Sequence, residues 1–158
     1  MLRISKIVDY GTLVLTHMAG YPQRVFSAAD LAASLGIGRP TVSKVLKALG
    51  RHNLVHSTRG PQGGYALSRP AGQINIAQII DALEEQPFGL TECTSTPGVC
   101  SFEANCQIRV NWQRINAVIR RTLEDVSVAD MVLPTPVTLV STVPPLPEPT
   151  SLGKSSVL

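Results

Sequence analysis

The sequence has no apolar run long enough to cross a bilayer: the longest near the N-terminus, residues 11–19, is short and stands among Lys6, Asp9 and His17. The same interruptions leave no secretory h-region, and no small-residue cleavage site follows, so the expected compartment is the cytoplasm. No internal repeat and no CxxC pair is present, and all three histidines (His17, His52 and His56) lie in the first half of the chain. Thiol redox or cluster-transfer catalysis therefore has no sequence support, and no enzyme activity is expected. Acids are nearly missing from residues 1–70, where nine Lys/Arg face only Asp9 and Asp30, a net of +7. Cysteine is missing everywhere except one stretch, residues 93–106 (CTSTPGVCSFEANC), which holds all three: Cys93, Cys100 and Cys106.

What is present fits a single small domain with appendages, since 158 residues with 44% apolar content can bury a core. Residues 71–130 hold four Lys/Arg against eight acids, a net of −4, so the overall +3 hides a basic first half and an acidic second one. Such a division suits a polyanion met by the first half alone, although a solvated basic face would give the same count.

Taken in order, residues 2–19 carry Ile4, Ile7, Val8, Gly11, Val14, Leu15 and Met18 at spacings of three and four, which predicts an amphipathic helix ended by Tyr21-Pro22. Ser27 followed by Ala28-Ala29-Asp30 reads as an N-cap with an acid at N3, opening a helix over 28–35 that should bury Leu31, Ala32 and Leu35. Gly36-Ile37-Gly38 makes a tight turn. Pro40 suits the first turn of the next helix, which runs to residue 51 with Val42, Val45, Leu46 and Leu49 inward. The opposite face carries Arg39, Thr41, Ser43, Lys44, Lys47 and Arg51 with no acid, a pattern fitted to a groove lined by phosphates.

Residues 54–58 alternate as a strand, RGPQGG turns, and residues 65–68 return, placing Arg59 on a hairpin tip directly after a helix-turn-helix. That order is a winged helix. A further amphipathic helix is expected over 76–85, with Ile76, Ile79, Ile80 and Leu83 buried. After the cysteine stretch, Ile108, Trp112, Ile115, Ile119 and Leu123 form a stripe that needs a partner, either a second copy of the chain or the chain's own first helix. The composition changes at Met131 to a Pro-rich stretch with two charges. The expected division is a DNA-binding unit over 1–70, a thiol loop and dimerisation helix over 71–130, and a disordered tail over 131–158. The fold class is mainly α with a small β-hairpin wing.

Three thiols cannot all close into disulfides, and disulfides are rare in the cytosol. Thiolates are soft donors suited to an iron-sulfur cluster, zinc or copper(I), and three of them leave one coordination position unassigned. A structural zinc site thus remains an alternative.

With RGPQGGY, the cysteine loop and the helix after it in view, the chain resembles the winged-helix regulators typified by the iron-sulfur-cluster regulator IscR and the nitric-oxide sensor NsrR. The match covers residues 1 to about 130. LRISKIVDYGTLVL, TVSKVLKAL and CSFEANCQIRVNWQRIN look most like the branch that regulates SUF cluster-assembly operons. The resemblance implies a homodimer that binds a palindromic operator in double-stranded DNA and holds a [2Fe-2S] or [4Fe-4S] cluster through Cys93, Cys100 and Cys106. Where the IscR pattern has a ligating His three residues after the last Cys, this chain has Arg109, a permanent cation. The NsrR pattern uses an Asp of the partner's first helix, which Asp9 matches; Glu92, another nearby oxygen or a small molecule are the alternatives. The wing Arg matching Arg59 enters a minor groove in the related regulator, and the positions of Pro40, Thr41, Ser43 and Lys44 face bases or backbone. Ser43 replaces a Glu that discriminates sites in IscR, so target preferences do not carry over. The function implied is a repressor sensing cluster status or oxidative or nitrosative stress.

Overall fold

Ser5 opens the first helix by accepting the Val8 amide on its hydroxyl at 3.4 Å, so α1 (Lys6–Ala19) starts at this cap and not at residue 2. The computed structural model describes residues 3–84 and 88–132. Val8, Gly11, Val14, Leu15 and Met18 form the buried face of α1, as the three-four spacing requires.

Ser27 and Asp30 then build a reciprocal cap for α2 (Ala28–Leu35). The Ser27 amide and hydroxyl donate to Asp30 Oδ2 at 3.0 and 2.8 Å, and the Asp30 amide donates to Ser27 Oγ at 3.0 Å. Leu31 alone is fully buried on this short helix; Ala32 and Leu35 are half-buried against the core. Gly36 ends it at φ 66°, a left-handed conformation open to a residue without Cβ, and this turn directs α3 (Arg39–Arg51) across α2. Val42, Val45, Leu46 and Leu49 of α3 are each 0% exposed, and each such burial contributes about 1.5–3 kcal/mol.

The hairpin pairs β1 (Val55–Thr58) with β2 (Gly64–Leu67) antiparallel, in the register Val55↔Leu67 to Thr58↔Gly64. A further pairing, unforeseen in the sequence, joins β2 to the segment before α2. The Phe26 amide donates to Tyr65 O at 2.9 Å and the Tyr65 amide donates to Phe26 O at 2.7 Å. Gly64 permits this approach, because a Cβ there would run into the Phe26 carbonyl.

After a 3₁₀ turn (Ala71–Gln73), Asn75 and Gln78 cap α4 (Ile76–Leu83). Ile79, Ile80 and Leu83 are buried as expected, whereas Ile76, in the first turn, is only half-buried. The helix ends at Leu83, short of the expected residue 85: Glu84 is its C-cap in an extended conformation, and residue 85 lies outside the described ones. The thiol stretch contains α5 (Glu92–Ser95) and a 3₁₀ turn (Glu103–Asn105), and leads into α6 (Arg109–Glu124).

The chain closes its described part with α7 (Val128–Val132), which corrects the expected start of a tail at residue 131. Ser127 and Asp130 repeat the capping pattern of Ser27 and Asp30, at 2.8 Å from the Ser127 amide and 2.6 Å from its hydroxyl. Val128, 0% exposed, holds α7 against the core, and its amide donates to Ile74 O at 2.8 Å. The rest of the expected tail, residues 133–158, lies outside the described residues. One hydrophobic cluster takes in Val8, Leu15, Phe26, Leu46, Ile79, Leu83 and Val128, so residues before and after position 70 share a core.

Candidate nucleic-acid interface and thiol loop

The face of α3 opposite its buried side presents Arg39, Pro40, Lys44 and Lys47 exposed, with Thr41 and Ser43 half-buried between them. Among the described residues none of Arg39, Lys44, Lys47 or Arg59 has an ion-pair partner, so their charge is directed outward. Arg51, at the end of the same face, donates to Lys47 O at 3.4 Å. Arg59 is exposed at the start of the wing turn, which the Gly63 amide closes onto Gly60 O at 2.9 Å. Through the Phe26–Tyr65 pairing the wing is fastened to the residue that precedes the Ser27 cap, which ties the hairpin to the helix-turn-helix. A cationic helix face beside a cationic hairpin tip can meet two neighbouring grooves of a duplex.

The thiols lie at the other end of α4. Cys93 is buried in α5, with Thr91 Oγ1 3.2 Å from its Sγ; Cys100 and Cys106 are half-buried. All three are free. The loop is held onto α6 by the Leu90 amide, which donates to Asn116 Oδ1 at 3.2 Å. Glu92 is exposed. Arg109 pairs with Glu103 at 2.8 Å, and Glu103 also accepts the Gly98 amide at 2.6 Å.

Among the described residues no three His, Cys, Asp or Glu side chains gather closely enough to hold a metal ion, so the thiols are brought onto one loop but not to one point. Asp9 is exposed on α1 and lines a separate cleft with Arg3, Ile4, Val8, Ile76 and Met131. Within one chain Asp9 and the thiols are therefore not brought together. The donor set nevertheless has the chemistry of a thiolate-bound cluster, three soft, free sulfurs on one loop. Arg109 Nε, three residues further along the chain than Cys106, is buried without an acceptor among the described residues.

The stripe on α6 is largely open. Ile108, at the cap before the helix, is 56% exposed and Ile115 44%; Trp112, Ile119 and Leu123 are half-buried, and no residue of α6 is fully buried. Among the described residues α6 packs on α4 and α5, which accounts for Leu123 but leaves the face of Ile108, Ile115 and Val118 exposed.

Residues 4–134 match the Rrf2 family, described as iron-dependent transcriptional regulators. The chain belongs to the Rrf2 family. A protein of Azotobacter vinelandii named as an HTH-type transcriptional regulator, ORF2, is 35% identical over 132 residues, 83% of this chain and 79% of the relative. Among solved structures, CymR, the global cysteine regulator of B. subtilis, superposes with a TM-score of 0.70 at 25% identity, over 85% of this chain and 99% of CymR. IscR of T. potens does so with a TM-score of 0.64 at 26% identity, over 83% of this chain and 86% of IscR. The Rrf2 proteins are DNA-binding transcriptional regulators and not enzymes, and the mainly helical fold with one hairpin is the winged helix of these structures. No helix of the described residues is long and apolar enough to cross a membrane.

Two features of this surface escaped sequence reasoning. The Phe26–Tyr65 pairing had a signal only in Gly64, which follows Gly63 and looks like part of the turn. The Glu103–Arg109 pair had none, since a spacing of six residues across a loop carries no periodic signature.

Proposed function

We propose that this Rrf2 chain is a cytoplasmic homodimeric repressor of SUF-type cluster-assembly genes. It binds a palindromic operator through α3 and the wing, and senses iron-sulfur status through Cys93, Cys100 and Cys106. The observation that carries the reading is that every thiol of the chain sits on the one loop held against α6, while α6 and α3 both pack on α4. Occupancy of the loop can thereby bias the placement of α6, and with it the separation of two recognition helices across a dimer.

The three thiolates would hold the cluster, which when bound supplies an iron centre open to oxidants and nitric oxide. The chain's own part is to present the sulfurs, to keep them on α6, and to offer Asp9 of the partner subunit as the fourth donor. The uncovered Ile108, Ile115 and Val118 face of α6 supports a second copy as the occupant of that stripe. Arg59 on the wing is assigned to the minor groove or backbone, with Arg39, Pro40, Thr41, Ser43, Lys44 and Lys47 on the major-groove side.

Anaerobic purification followed by Mössbauer and visible spectroscopy tests the reading, together with operator binding before and after cluster removal. The expected protein is brown and changes its operator affinity on losing colour. A colourless, zinc-containing protein with unchanged affinity would replace the sensor by a structural zinc site.

A further inference from the structure

Glu103 lies between Cys100 and Cys106, and its carboxylate ties together the two arms of the loop that carry them. On one side Oε2 accepts the Gly98 amide at 2.6 Å, two residues before Cys100. On the other, Oε1 meets Arg109 Nη2 at 2.8 Å, three residues after Cys106. The span between is folded by its own backbone: the Glu103 amide donates to Cys100 O at 3.1 Å and the Arg109 amide to Cys106 O at 3.3 Å.

The environment makes this carboxylate a structural tie and not a spare ligand. Its side chain is only 10% exposed, and both oxygens are engaged. Arg109 in turn stands in the first turn of α6, where the helix dipole disfavours a cation, so the Glu103 charge offsets an otherwise unfavourable placement. Loss of either partner leaves the other in a partly desolvated loop without this opposite charge, Glu103 keeping only the Gly98 amide among its contacts here.

The geometry points to the Glu103–Arg109 pair as the latch of the thiol loop. It sets the separation of Cys100 and Cys106, so metal uptake by the three thiols depends on two side chains that ligate nothing. This inference rests on the thiols being the metal site, and it gives Arg109 a positioning role at the place where a ligating His is missing.

The test uses the full chain under anaerobic conditions, with cobalt(II) as the metal probe and iodoacetamide alkylation of each cysteine followed by mass spectrometry. Glu103→Ala and Arg109→Ala are expected to weaken cobalt binding by about tenfold or more, the loss seen when outer residues that orient ligands are removed. They are also expected to speed alkylation of Cys100 and Cys106 while leaving Cys93, buried in α5, at its wild-type rate. Arg109→Lys, which keeps the charge, should restore most of both. Unchanged alkylation of Cys100 and Cys106 in the two alanine variants overturns the latch. A wild-type chain that takes up no cobalt overturns the metal reading instead, and the alkylation rates then still decide the latch. If Cys93 also reacts faster in an alanine variant, that fold is lost and Arg109→Lys decides: alkylation at the wild-type rate supports the latch, and fast alkylation of Cys100 and Cys106 overturns it.

Discussion

Arg120 on α6 grips Asp81 on α4 with two guanidinium nitrogens, Nη1 to Oδ1 at 2.7 Å and Nη2 to Oδ2 at 2.6 Å, and extends Nε to Glu124 at 2.8 Å. The hydrogen bonds to Asp81, and then to Glu124, raise the guanidinium pKa further above its ordinary value, so Arg120 stays charged. Both side chains of the Arg120–Asp81 pair are about a third exposed, 32% and 37%, so solvent screens much of the attraction. Arg120→Ala is therefore expected to cost about 1 kcal/mol, a melting midpoint lower by about 2–4 °C. A double-mutant cycle with Asp81→Asn measures the coupling, and additive effects would show that the clamp contributes nothing.

Arg59→Ala should weaken operator binding by about 1–3 kcal/mol while barely affecting random DNA, because a hairpin tip reads groove shape. Lys47→Ala should weaken both alike and flatten the salt slope by about one unit, as expected of a phosphate contact. Fluorescence anisotropy on specific and scrambled duplexes at several salt concentrations separates the two; equal losses on both duplexes from both variants would contradict this division.

Ile115, 44% exposed at the middle of the open stripe on α6, is the position at which a charge should matter most for assembly. Ile115→Asp is expected to shift light-scattering mass from dimer to monomer while circular dichroism stays unchanged, because no residue of α6 is fully buried in the chain. A variant that remains dimeric places the interface elsewhere.

Asp9 and the thiols can share a site only between two chains, which mixing of variants reveals. Asp9→Ala and Cys100→Ser homodimers should each hold cluster poorly. Their mixed dimer contains one complete set, the Cys93, Cys100 and Cys106 of the first chain with the Asp9 of the second. Cluster content should then recover to about half in the purified heterodimer, following the geometry of one shared site. No recovery argues for a donor within the same chain.

Two serine-capped carboxylates give the fold an acid-sensitive component. Asp30 has its pKa lowered from the ordinary 3.8 by the Ser27 hydroxyl and then the Ser27 amide, and Asp130 likewise by Ser127. A depressed folded-state pKa contributes stability that is present above the unfolded value and fades as pH falls through the folded one. The Asp30→Asn, Asp130→Asn double variant should accordingly lose less of its melting temperature between pH 4 and 2 than the parent chain. Parallel curves would show that the caps do not report on acid unfolding.

Much of this was legible in the sequence because local periodicity determined it. The faces of α1 and α3, the SAAD cap and the RGPQGGY wing each follow from residues within one or two turns. The SVAD cap of α7 had the same signal but went unread, since it sits at the edge of a Pro-rich stretch. The thiol loop was recognisable by composition, yet its Glu103–Arg109 tie and the Leu90–Asn116 tether depend on chain paths that spacing does not encode. The separation of Asp9 from the thiols is likewise a fact of tertiary placement.

The pairing of Phe26 with Tyr65 ties the wing to the segment that leads into α2, so that under the proposed function a half-site would be read as by a fixed die and not as by two fingers. With the wing tied in this way, a dimer of such units would have two adjustable quantities, the distance and the phase between its two halves. Half-sites one helical turn apart, about 34–36 Å, would be accepted or refused as a whole. Selectivity for new operators would then arise by replacing surface side chains, with the tie between wing and helix-turn-helix left in place.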